Sequence, residues 1–228
     1  CSSDLGSLWL GGQLYTFLNS DGTTLAAESG SVGYFRDSSG TRHATQATTS
    51  RKPLLKYTAG RWGLKFDGTD DVLLTATLPS VAAETFGVVY TAPATTGSAQ
   101  FPIGRRNTAD SSGATIYLNG TNNTVNFICG AGAVVAGAAV ASGNVGVASV
   151  VGKVGSLAVR VNGTDGATTS YATYVCGSNA LALGNSIDVQ RPFGGTIHAA
   201  YYAPVEISST DRQTLDRLLG KIFGVTVA

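Results

Sequence analysis

Short apolar runs rich in β-branched and aromatic residues alternate along this chain with clusters of Gly, Asn, Asp and Ser. Such runs predict β-strands, because β-branched and aromatic side chains pack well on a pleated surface. The clearest are residues 86–91 and 196–203. Asn-Gly pairs at 119–120 and 162–163 are strong hairpin signals, since both residues tolerate positive φ. The pattern therefore predicts many short antiparallel strands.

Further strands and their pairings follow from the same pattern. They are predicted at residues 9–18, 32–36, 54–57, 62–66, 72–75, 101–104, 115–118, 124–128, 145–153, 156–161, 171–175 and 181–184. We expect hairpins that join 115–118 to 124–128 and 145–153 to 156–161, and we expect 62–66 to pair with 72–75 across the turn between them. We expect residues 101–104 to lie at a sheet edge, because Pro102 cannot donate a backbone hydrogen bond.

Helical periodicity is convincing only near the C-terminus. Ser208 or Ser209 can cap a helix that has Asp211 in its first turn and Gly224 at its end. The predicted helix covers about residues 208–223 and has an apolar stripe that should pack on a sheet. The stripe comprises Leu215, Leu218, Leu219 and Ile222, and leaves Arg212, Asp216 and Lys221 in water.

Composition and charge narrow the function classes. The 228 residues include 30 Gly, and only 13% of residues are charged. This composition suits one all-β domain over residues 1–228. The net charge of +1 gives no electrostatic case for nucleic acid or an anionic membrane. No run of 18 apolar residues predicts a membrane span.

Two segments, residues 32–46 and 64–73, carry a resemblance to a known family. The first contains an aromatic strand, an Asp-Ser-Ser-Gly turn and His-Ala-Thr-Gln, and the second contains Phe-Asp-Gly-Thr-Asp-Asp. Together with the C-terminal helix, they resemble the laminin-G-like, concanavalin-A-like jelly-roll module of tailed-phage virion proteins. The resemblance implies an all-β fold of two antiparallel sheets in a jelly-roll sandwich with one C-terminal helix. It also implies structural roles for Asp37, Gly40, His43, Gln46, Phe66, Asp67 and Gly68.

Candidate catalytic groups are sparse. A retaining glycosidase needs two carboxyl groups about 5 Å apart, and no Glu here has an Asp two residues away. The adjacent Asp70 and Asp71 would point to opposite sides of an extended strand. We expect His43 to be structural and His198 to be a hydrogen-bonded group within a strand. No G-x-S-x-G elbow occurs, so we expect no enzyme activity.

Metal and cysteine chemistry give few candidates. No Cys/His cluster predicts a zinc site. Calcium is the alternative to having no cofactor, with Asp67, Asp70 and Asp71 as the first candidates for ligands, followed by Asp110, Asp165 and Asp188. We favour turn formation for the Asp-Gly pairs. The sequence does not decide whether Cys129 and Cys176 form a disulfide, because it does not give the distance between them.

Carbohydrate sites commonly use an exposed aromatic ring as a platform. The candidates are Tyr34, Trp62, Tyr117, Tyr201 and Tyr202. The family resemblance implies a non-enzymatic capsid decoration, fibre or tail-fibre module on the virion surface. Such a module would be an oligomer or multicopy, with virion proteins or host-surface polysaccharide as partners. The alternative is a secreted or lipid-anchored bacterial carbohydrate-binding module, outside the cell or in its envelope, since Cys1-Ser2-Ser3 resembles a mature lipoprotein N-terminus. We favour Cys1 as the start of an ordered region.

Overall fold

The computed structural model describes residues 7–109, 112–130, 132–172, 174 and 176–228. Cys1 and the calcium candidate Asp110 lie outside these residues. Within them, the chain forms two antiparallel β-sheets and the α-helix α1 (Ser209–Phe223). Short 3-10 turns lie at Gln13–Tyr15 and Thr49–Arg51. No helix in this part of the chain is both long and apolar enough to cross a membrane.

The strands are short and follow one another closely. In chain order they are β1 (Ser7–Leu10), β2 (Thr16–Phe17), β3 (Tyr34–Phe35), β4 (Ala44–Thr45), β5 (Leu54–Thr58), β6 (Arg61–Lys65), β7 (Leu73–Thr77), β8 (Ala83–Thr91), β9 (Gln100–Gly104), β10 (Ala114–Leu118), β11 (Thr124–Cys129), β12 (Ala133–Ala139), β13 (Val145–Lys153), β14 (Ser156–Val161), β15 (Thr164–Thr169), β16 (Ala180–Leu183) and β17 (Thr196–Ala203).

Each sheet interleaves strands that are distant in sequence. The eight-stranded sheet has the order β15-β14-β13-β8-β17-β6-β5, and β1 also pairs with β17. The nine-stranded sheet has the order β12-β11-β10-β9-β16-β7-β4-β3-β2. The two sheets enclose a core that includes Phe35, Phe66, Phe86 and Phe127. The predicted all-β sandwich with a C-terminal helix is confirmed, and Phe66 lies in its core.

Hairpin turns form where the sequence predicted them. Asn162 and Gly163 have φ of 49° and 81° and join β14 to β15. Both values are positive, as a type I′ hairpin turn requires, and Asn and Gly accept them most readily. The hairpins β10–β11 and β13–β14 are also confirmed. In the β10–β11 turn, however, the positive φ of 53° is at Asn123 and not at Asn119 or Gly120, so the reason given for that turn is wrong.

Three strand predictions are wrong. Strands β6 and β7 do not pair, because the turn between them carries the chain from one sheet to the other. Strand β9 is internal, since a register shift opposite Tyr117 accommodates Pro102 within the sheet. The described residues of 171–175, namely 171, 172 and 174, lie outside any named strand, although residue 176 forms an isolated bridge to Val81.

Helix α1 packs on the side of the eight-stranded sheet that faces away from the core. Its rotation about its own axis differs from the prediction. Ser208 caps it by accepting a hydrogen bond from the Asp211 N–H at 3.1 Å. Leu219 is buried as expected, whereas Leu218 and Ile222 are 54% and 56% exposed. The two polar residues expected in water, Arg212 and Asp216, are buried. Lys221 is exposed as predicted.

A buried polar network explains this rotation. Asp216 accepts hydrogen bonds from Ser149 Oγ at 2.6 Å and from Tyr201 Oη at 3.2 Å. Burial raises the pKa of Asp216 to about 6, although those hydrogen bonds and the nearby Arg212 act to lower it. Because the sheet supplies partners, a polar side chain occupies the middle of the interface and turns two apolar side chains towards solvent.

A second buried polar group links the two sheets. Arg105 and Glu84 form an ion pair of 3.1 Å with neither side chain exposed. Arg105 also donates to Tyr202 Oη at 3.0 Å and to carbonyls of residues 78, 79 and 177. Full hydrogen bonding of this kind offsets the cost of burying a charge.

Both described cysteines are free and buried. Cys129 and Cys176 therefore form no disulfide in this structure, and the sequence had left this point open. Burial raises the pKa of the Cys129 thiol to about 12 and raises that of Cys176 further. A thiol held protonated in this way is a poor nucleophile and behaves as a small apolar side chain.

Candidate functional site

One row of paired residues crosses all nine strands of the larger sheet. In spatial order it contains Phe17, Tyr34, Thr45, Leu74, Ala182, Gly104, Thr115, Ile128 and Val134. Directly paired residues project to the same side of a sheet. Phe35 and Ile116, which neighbour this row along their strands, lie in the core. The row therefore lies on the side of the nine-stranded sheet that faces away from the core, which we call the outer face.

Small residues form the middle of the outer face. Ala182, Gly104 and Thr115 are adjacent in the row. A Cβ on Gly104 would lie 2.1 Å from Thr115 Oγ1, so a larger residue would not fit there. Tyr34 lies on one side of these residues, and Tyr117, two residues from Thr115 on β10, lies on the other. Tyr34 lines a depression with a volume of about 690 Å³, and Tyr117 lines one of about 350 Å³.

The smaller depression, which we call the Tyr117 site, combines aromatic and basic groups. The Tyr117 ring is half-buried, and its centroid lies 6.0 Å from that of Phe101. Ile128, Arg106 and Arg191 also line this depression. Burial raises the pKa of Tyr117, and the positive charge of Arg106 partly opposes this.

The two arginines of the Tyr117 site are held differently. Arg106 is 8% exposed and donates from Nη1 to the Gly130 carbonyl at 2.6 Å. Arg191 is exposed, and its backbone N–H donates to Asn185 Oδ1 at 2.9 Å. The site therefore has a fixed guanidinium in its wall and a solvent-facing one at its rim. No carboxylate belongs to its lining among the residues that the structure describes.

The larger depression contains a second aromatic and basic group. The Tyr34 ring lies 4.9 Å from the His43 imidazole, and Arg42 and Thr45 also line the depression. His43 Nδ1 accepts a hydrogen bond from the Asp37 N–H at 3.1 Å. His43 thus supports both the loop and the Tyr34 ring, as expected of a structural histidine.

Asp37 organises the loop that ends at Gln46. Its carboxylate accepts from the N–H groups of Leu8 and Arg42 at 3.0 and 3.1 Å, and from Ser39. Partial burial raises the pKa of Asp37, but these hydrogen bonds outweigh it and leave the pKa below its usual value. Gly40 has φ of 81°, and Gln46 donates to the Val72 carbonyl at 3.0 Å. These hydrogen bonds join the loop to β1 and to the residue before β7, and the structural roles that the resemblance implies stay a prediction.

The turn after Phe66 brings three carboxylates together. One carboxylate oxygen from each of Asp67, Asp70 and Asp71 lies within 4.8 Å of the others. This segment is not an extended strand, so the opposite orientation that a strand would give to Asp70 and Asp71 does not apply. Gly68 has φ of 78° in that turn.

Hydrogen bonds within the turn already occupy some of the oxygens of these three carboxylates. Asp71 accepts from the Asp67 N–H at 2.9 Å, and Asp67 accepts from the Thr69 N–H at 2.8 Å. Asp70 lies 3.6 Å from Arg51. Burial, together with the charges of Asp67 and Asp70, raises the pKa of Asp71 to about 6 although its hydrogen bond opposes this. Oxygen ligands of this kind suit calcium, which stays the alternative to a turn without a cofactor.

The remaining sequence candidates lie elsewhere. Trp62 is on β6 of the other sheet, where its ring lies 5.0 Å from that of Tyr57. The exposure expected of Tyr201 and Tyr202 is wrong: both are buried, Tyr201 beneath α1 and Tyr202 in the core. Asp165 pairs with Arg160 at 2.8 Å, and Asp188 accepts from the Thr108 N–H at 3.1 Å.

His198 has both ring nitrogens occupied. Nδ1 lies 2.8 Å from the Trp62 carbonyl, which can only accept, so Nδ1 carries a proton. Nε2 lies 2.8 Å from Thr91 Oγ1 and accepts from it when the ring is neutral. Burial lowers the pKa of His198 and favours this neutral form. The expected hydrogen-bonded role is confirmed.

Phe101, Arg106 and Arg191 were not among the sequence candidates. Phe101 was overlooked because β9 was expected at an edge. Arg106 belongs to a charged stretch that follows β9, and Arg191 precedes Pro192 in a loop. An arginine pair that leaves an aromatic strand was the available signal, but only the fold brings Arg191 beside it.

Comparisons with known proteins agree on architecture. The chain is similar to the sialidase of Trypanosoma rangeli with a TM-score of 0.69 and 11% identity, over 99% of this chain and 34% of the sialidase. The fold is a concanavalin-like, lectin-type β-sandwich. The chain therefore spans about a third of that relative's length.

Two further solved structures share the sandwich. CBM40 of the Ruminococcus gnavus IT-sialidase, bound to α2,6 sialyllactose, matches with a TM-score of 0.51 and 12% identity over 65% of this chain and 93% of that one. An arabinofuranosidase complexed with arabinofuranosyl-α-1,2-xylobiose matches with a TM-score of 0.68 and 14% identity over 93% and 60%. No protein-family model matches the sequence, and no curated protein does. Identities this low establish the fold alone.

Proposed function

We propose that the chain is a non-catalytic carbohydrate-binding module and that the Tyr117 site takes a sugar with an acidic group. One observation carries the proposal: a half-buried tyrosine ring lines a surface depression together with two arginines, with no carboxylate in the described lining. Sugar rings present apolar C–H faces that pack on aromatic rings. A guanidinium adds two parallel hydrogen bonds to a carboxylate.

The immobilisation of Arg106 strengthens the argument. Its hydrogen bond to the Gly130 carbonyl fixes the guanidinium before any ligand arrives. Less side-chain entropy is therefore lost on binding. Arg191 at the rim can approach the ligand from the solvent side. Thr108, which also lines the site, donates its hydroxyl proton to Asp188, and its oxygen can accept from a sugar hydroxyl.

Structural relatives support the ligand class. The CBM40 relative is described as bound to sialyllactose, an acidic oligosaccharide, and the arabinofuranosidase as complexed with a neutral one. Basic side chains at the Tyr117 site favour the acidic class. The larger depression, with Tyr34 and Arg42, is suited to extend the same face for a longer oligosaccharide.

We propose binding without hydrolysis because the grouped carboxylates do not share a cleft. Among the described residues, Asp67 lines a surface cavity with Gln100 and Arg191, whereas Asp70 and Asp71 do not. Asp71 is 5% exposed and Asp70 faces Arg51. Paired carboxyl catalysis needs both groups to reach the glycosidic bond.

Calorimetric titration with sialyllactose, and with lactose as the neutral counterpart, tests the proposal. We expect Tyr117→Ala and Arg191→Gln each to weaken sialyllactose binding at least tenfold, which is about 1.4 kcal/mol. Tyr57→Ala and Arg217→Gln are matched controls, exposed and remote from the outer face, and should leave binding unchanged.

Three results would count against the proposal. Equal binding of lactose and sialyllactose would remove the acidic specificity. Failure of wild-type protein to bind any oligosaccharide on a glycan array would remove carbohydrate binding itself. Release of reducing ends from a bound polysaccharide would remove the non-catalytic assignment. Unfolding midpoints of all variants must be compared, because Tyr117 also packs on Phe101.

The biological setting we propose is a tailed-phage virion surface, where multiple copies attach to the particle or to host-surface glycan. This part rests on the resemblance of residues 32–46 and 64–73. A secreted or lipid-anchored bacterial module is the alternative setting. Antibody labelling of native particles in electron micrographs should decorate the virion, and label confined to bacterial envelope fractions would support the alternative.

A further inference from the structure

A basic pocket of about 430 Å³ lies on the outer side of the eight-stranded sheet, away from the Tyr117 site. Lys56 on β5 and Arg61 and Lys65 on β6 supply its charges. Thr91, Thr196 and His198 form its floor. No carboxylate belongs to the described lining. We call this the basic pocket.

Strand register explains why three cations gather here. Lys56 is paired with Gly63, and Lys65 and Arg61 lie two residues to either side of Gly63 on the same face. Residues two apart on a strand are separated by about 7 Å. The three basic side chains therefore surround a position that has no side chain of its own.

The floor of the pocket requires that glycine. A Cβ on Gly63 would lie 2.5 Å from Thr196 Cγ2 and 2.8 Å from His198 Nδ1. Lys65, Thr196, Thr91 and Val145 are paired in one row across four strands. The row places the two threonines beside Lys65 in the lining of the pocket.

The pocket's charges are only partly offset by the protein. Lys65 donates to the Gly194 carbonyl and Lys56 to Ser29 Oγ at 2.8 Å. Arg61 donates to the Phe223 carbonyl at the end of α1. Each of these acceptors is neutral. Burial lowers the pKa of Lys65, although the charge of the nearby Asp67 opposes this.

We infer that the basic pocket binds a sulfate or phosphate group, free or as an ester on a sugar. Three positive charges around one depression suit a dianion, and each ammonium retains N–H donors after its protein contact. Thr196 adds a hydroxyl at the floor. The pocket is large enough for the group together with part of a monosaccharide. This site is separate from the carbohydrate site and does not depend on it.

An NMR titration of backbone amides tests the inference with four probes: sodium sulfate, sodium phosphate, glucose 6-sulfate and glucose 6-phosphate. Ionic strength is matched with sodium chloride, because salt screens surface charges. Wild-type protein should show saturable shifts at the amides of Gly63, Thr91 and Thr196. Tighter binding of an ester than of its free anion would assign the sugar ester, and equal binding would assign the free anion.

Variants separate local binding from general charge. Lys56→Met together with Lys65→Met should weaken binding at least tenfold. Lys153→Met together with Lys221→Met makes the same charge change away from the pocket, at a half-buried and an exposed position, and should leave affinity unchanged. Thr196→Val keeps the side-chain shape and should weaken binding several-fold.

Three results would contradict anion binding at the basic pocket. Wild-type amides that shift linearly without saturation would remove the site. Equal weakening by both double variants would show a general charge effect. Saturable shifts at Tyr117 and Phe101, with none at Gly63, would assign anion binding to the outer face. Sialyllactose binding is expected to continue in the Lys56→Met, Lys65→Met variant, so the two proposals can fail independently.

Discussion

At the scale of residues, two buried carboxyl groups make the stability of the protein depend on pH. Asp71 and Asp216 are 5% and 1% exposed, and burial raises the pKa of each to about 6. An unfolded aspartate titrates near 3.9. Between these values the folded state holds more protons than the unfolded state. Each group therefore lowers the free energy of unfolding as pH rises from about 4 to about 6.

Asp71→Asn should stabilise the protein at pH 7. Asparagine keeps an oxygen that can accept from the Asp67 N–H, and it removes the charge from beside Asp67 and Asp70. We expect about 1 kcal/mol at pH 7 and no gain at pH 4, measured by urea unfolding at both values. Asp21→Asn is the control: hydrogen bonds from Thr23 lower the pKa of Asp21, so no gain is expected.

The effect of calcium on the unfolding midpoint, compared between wild-type protein and the Asp71→Asn variant, tests the cation site. If the turn serves only to reverse the chain, calcium should leave the unfolding midpoint unchanged. A saturable rise with calcium that Asp71→Asn abolishes would instead show a cation site at Asp67, Asp70 and Asp71. A gain from Asp71→Asn that persists at pH 4 would contradict the electrostatic explanation.

At the scale of elements, helix α1 shows how buried polar groups set packing. Its interface includes Leu219 and Phe223 together with Arg212 and Asp216. Arg160 supports the same region through paired hydrogen bonds to Asp165 at 2.8 and 3.0 Å. Hydrophobic periodicity alone would rotate the helix so that Leu218 faces the sheet.

Adjacent leucines on α1 provide a matched test of this rotation. Leu219→Ala removes a side chain that is 2% exposed and should cost about 2–5 kcal/mol in the free energy of unfolding. Leu218→Ala removes one that is 54% exposed and should change it by less than about 0.5 kcal/mol. Urea unfolding of both variants measures the difference, and equal losses would contradict the burial of Leu219 against the sheet.

At the scale of the whole molecule, the two sheets have different outer surfaces. Helix α1 covers part of the eight-stranded sheet and leaves the basic pocket beside it. The nine-stranded sheet presents the two aromatic depressions. A small open site makes few contacts, so we expect a dissociation constant in the millimolar to micromolar range for one copy.

Linking copies should therefore change binding more than any single substitution. Two copies joined by a flexible linker should bind a surface coated with sialyllactose about 10²–10⁴-fold more tightly than one copy. Surface plasmon resonance at several glycan densities measures this gain. A linked pair in which one copy carries Tyr117→Ala is the control. Nanomolar binding by a single copy would contradict the need for multiple copies.

Local chemistry in the sequence determined much of this protein. The Asn-Gly turn at 162–163 and the Ser208 cap depend on residues close in sequence. These features were predictable because hydrogen bonds to nearby N–H groups and backbone φ preferences act over a few residues.

Only the tertiary structure decided which surfaces meet. It separated β6 from β7, buried Asp216 and Tyr201 against each other, and placed Arg191 beside Tyr117. Periodicity shows which residues can be buried but not which partners they meet. A polar residue with a buried partner has the same sequence pattern as one in water. For that reason, the sheet partners, the rotation of α1 and both proposed sites depended on contacts between residues distant in sequence.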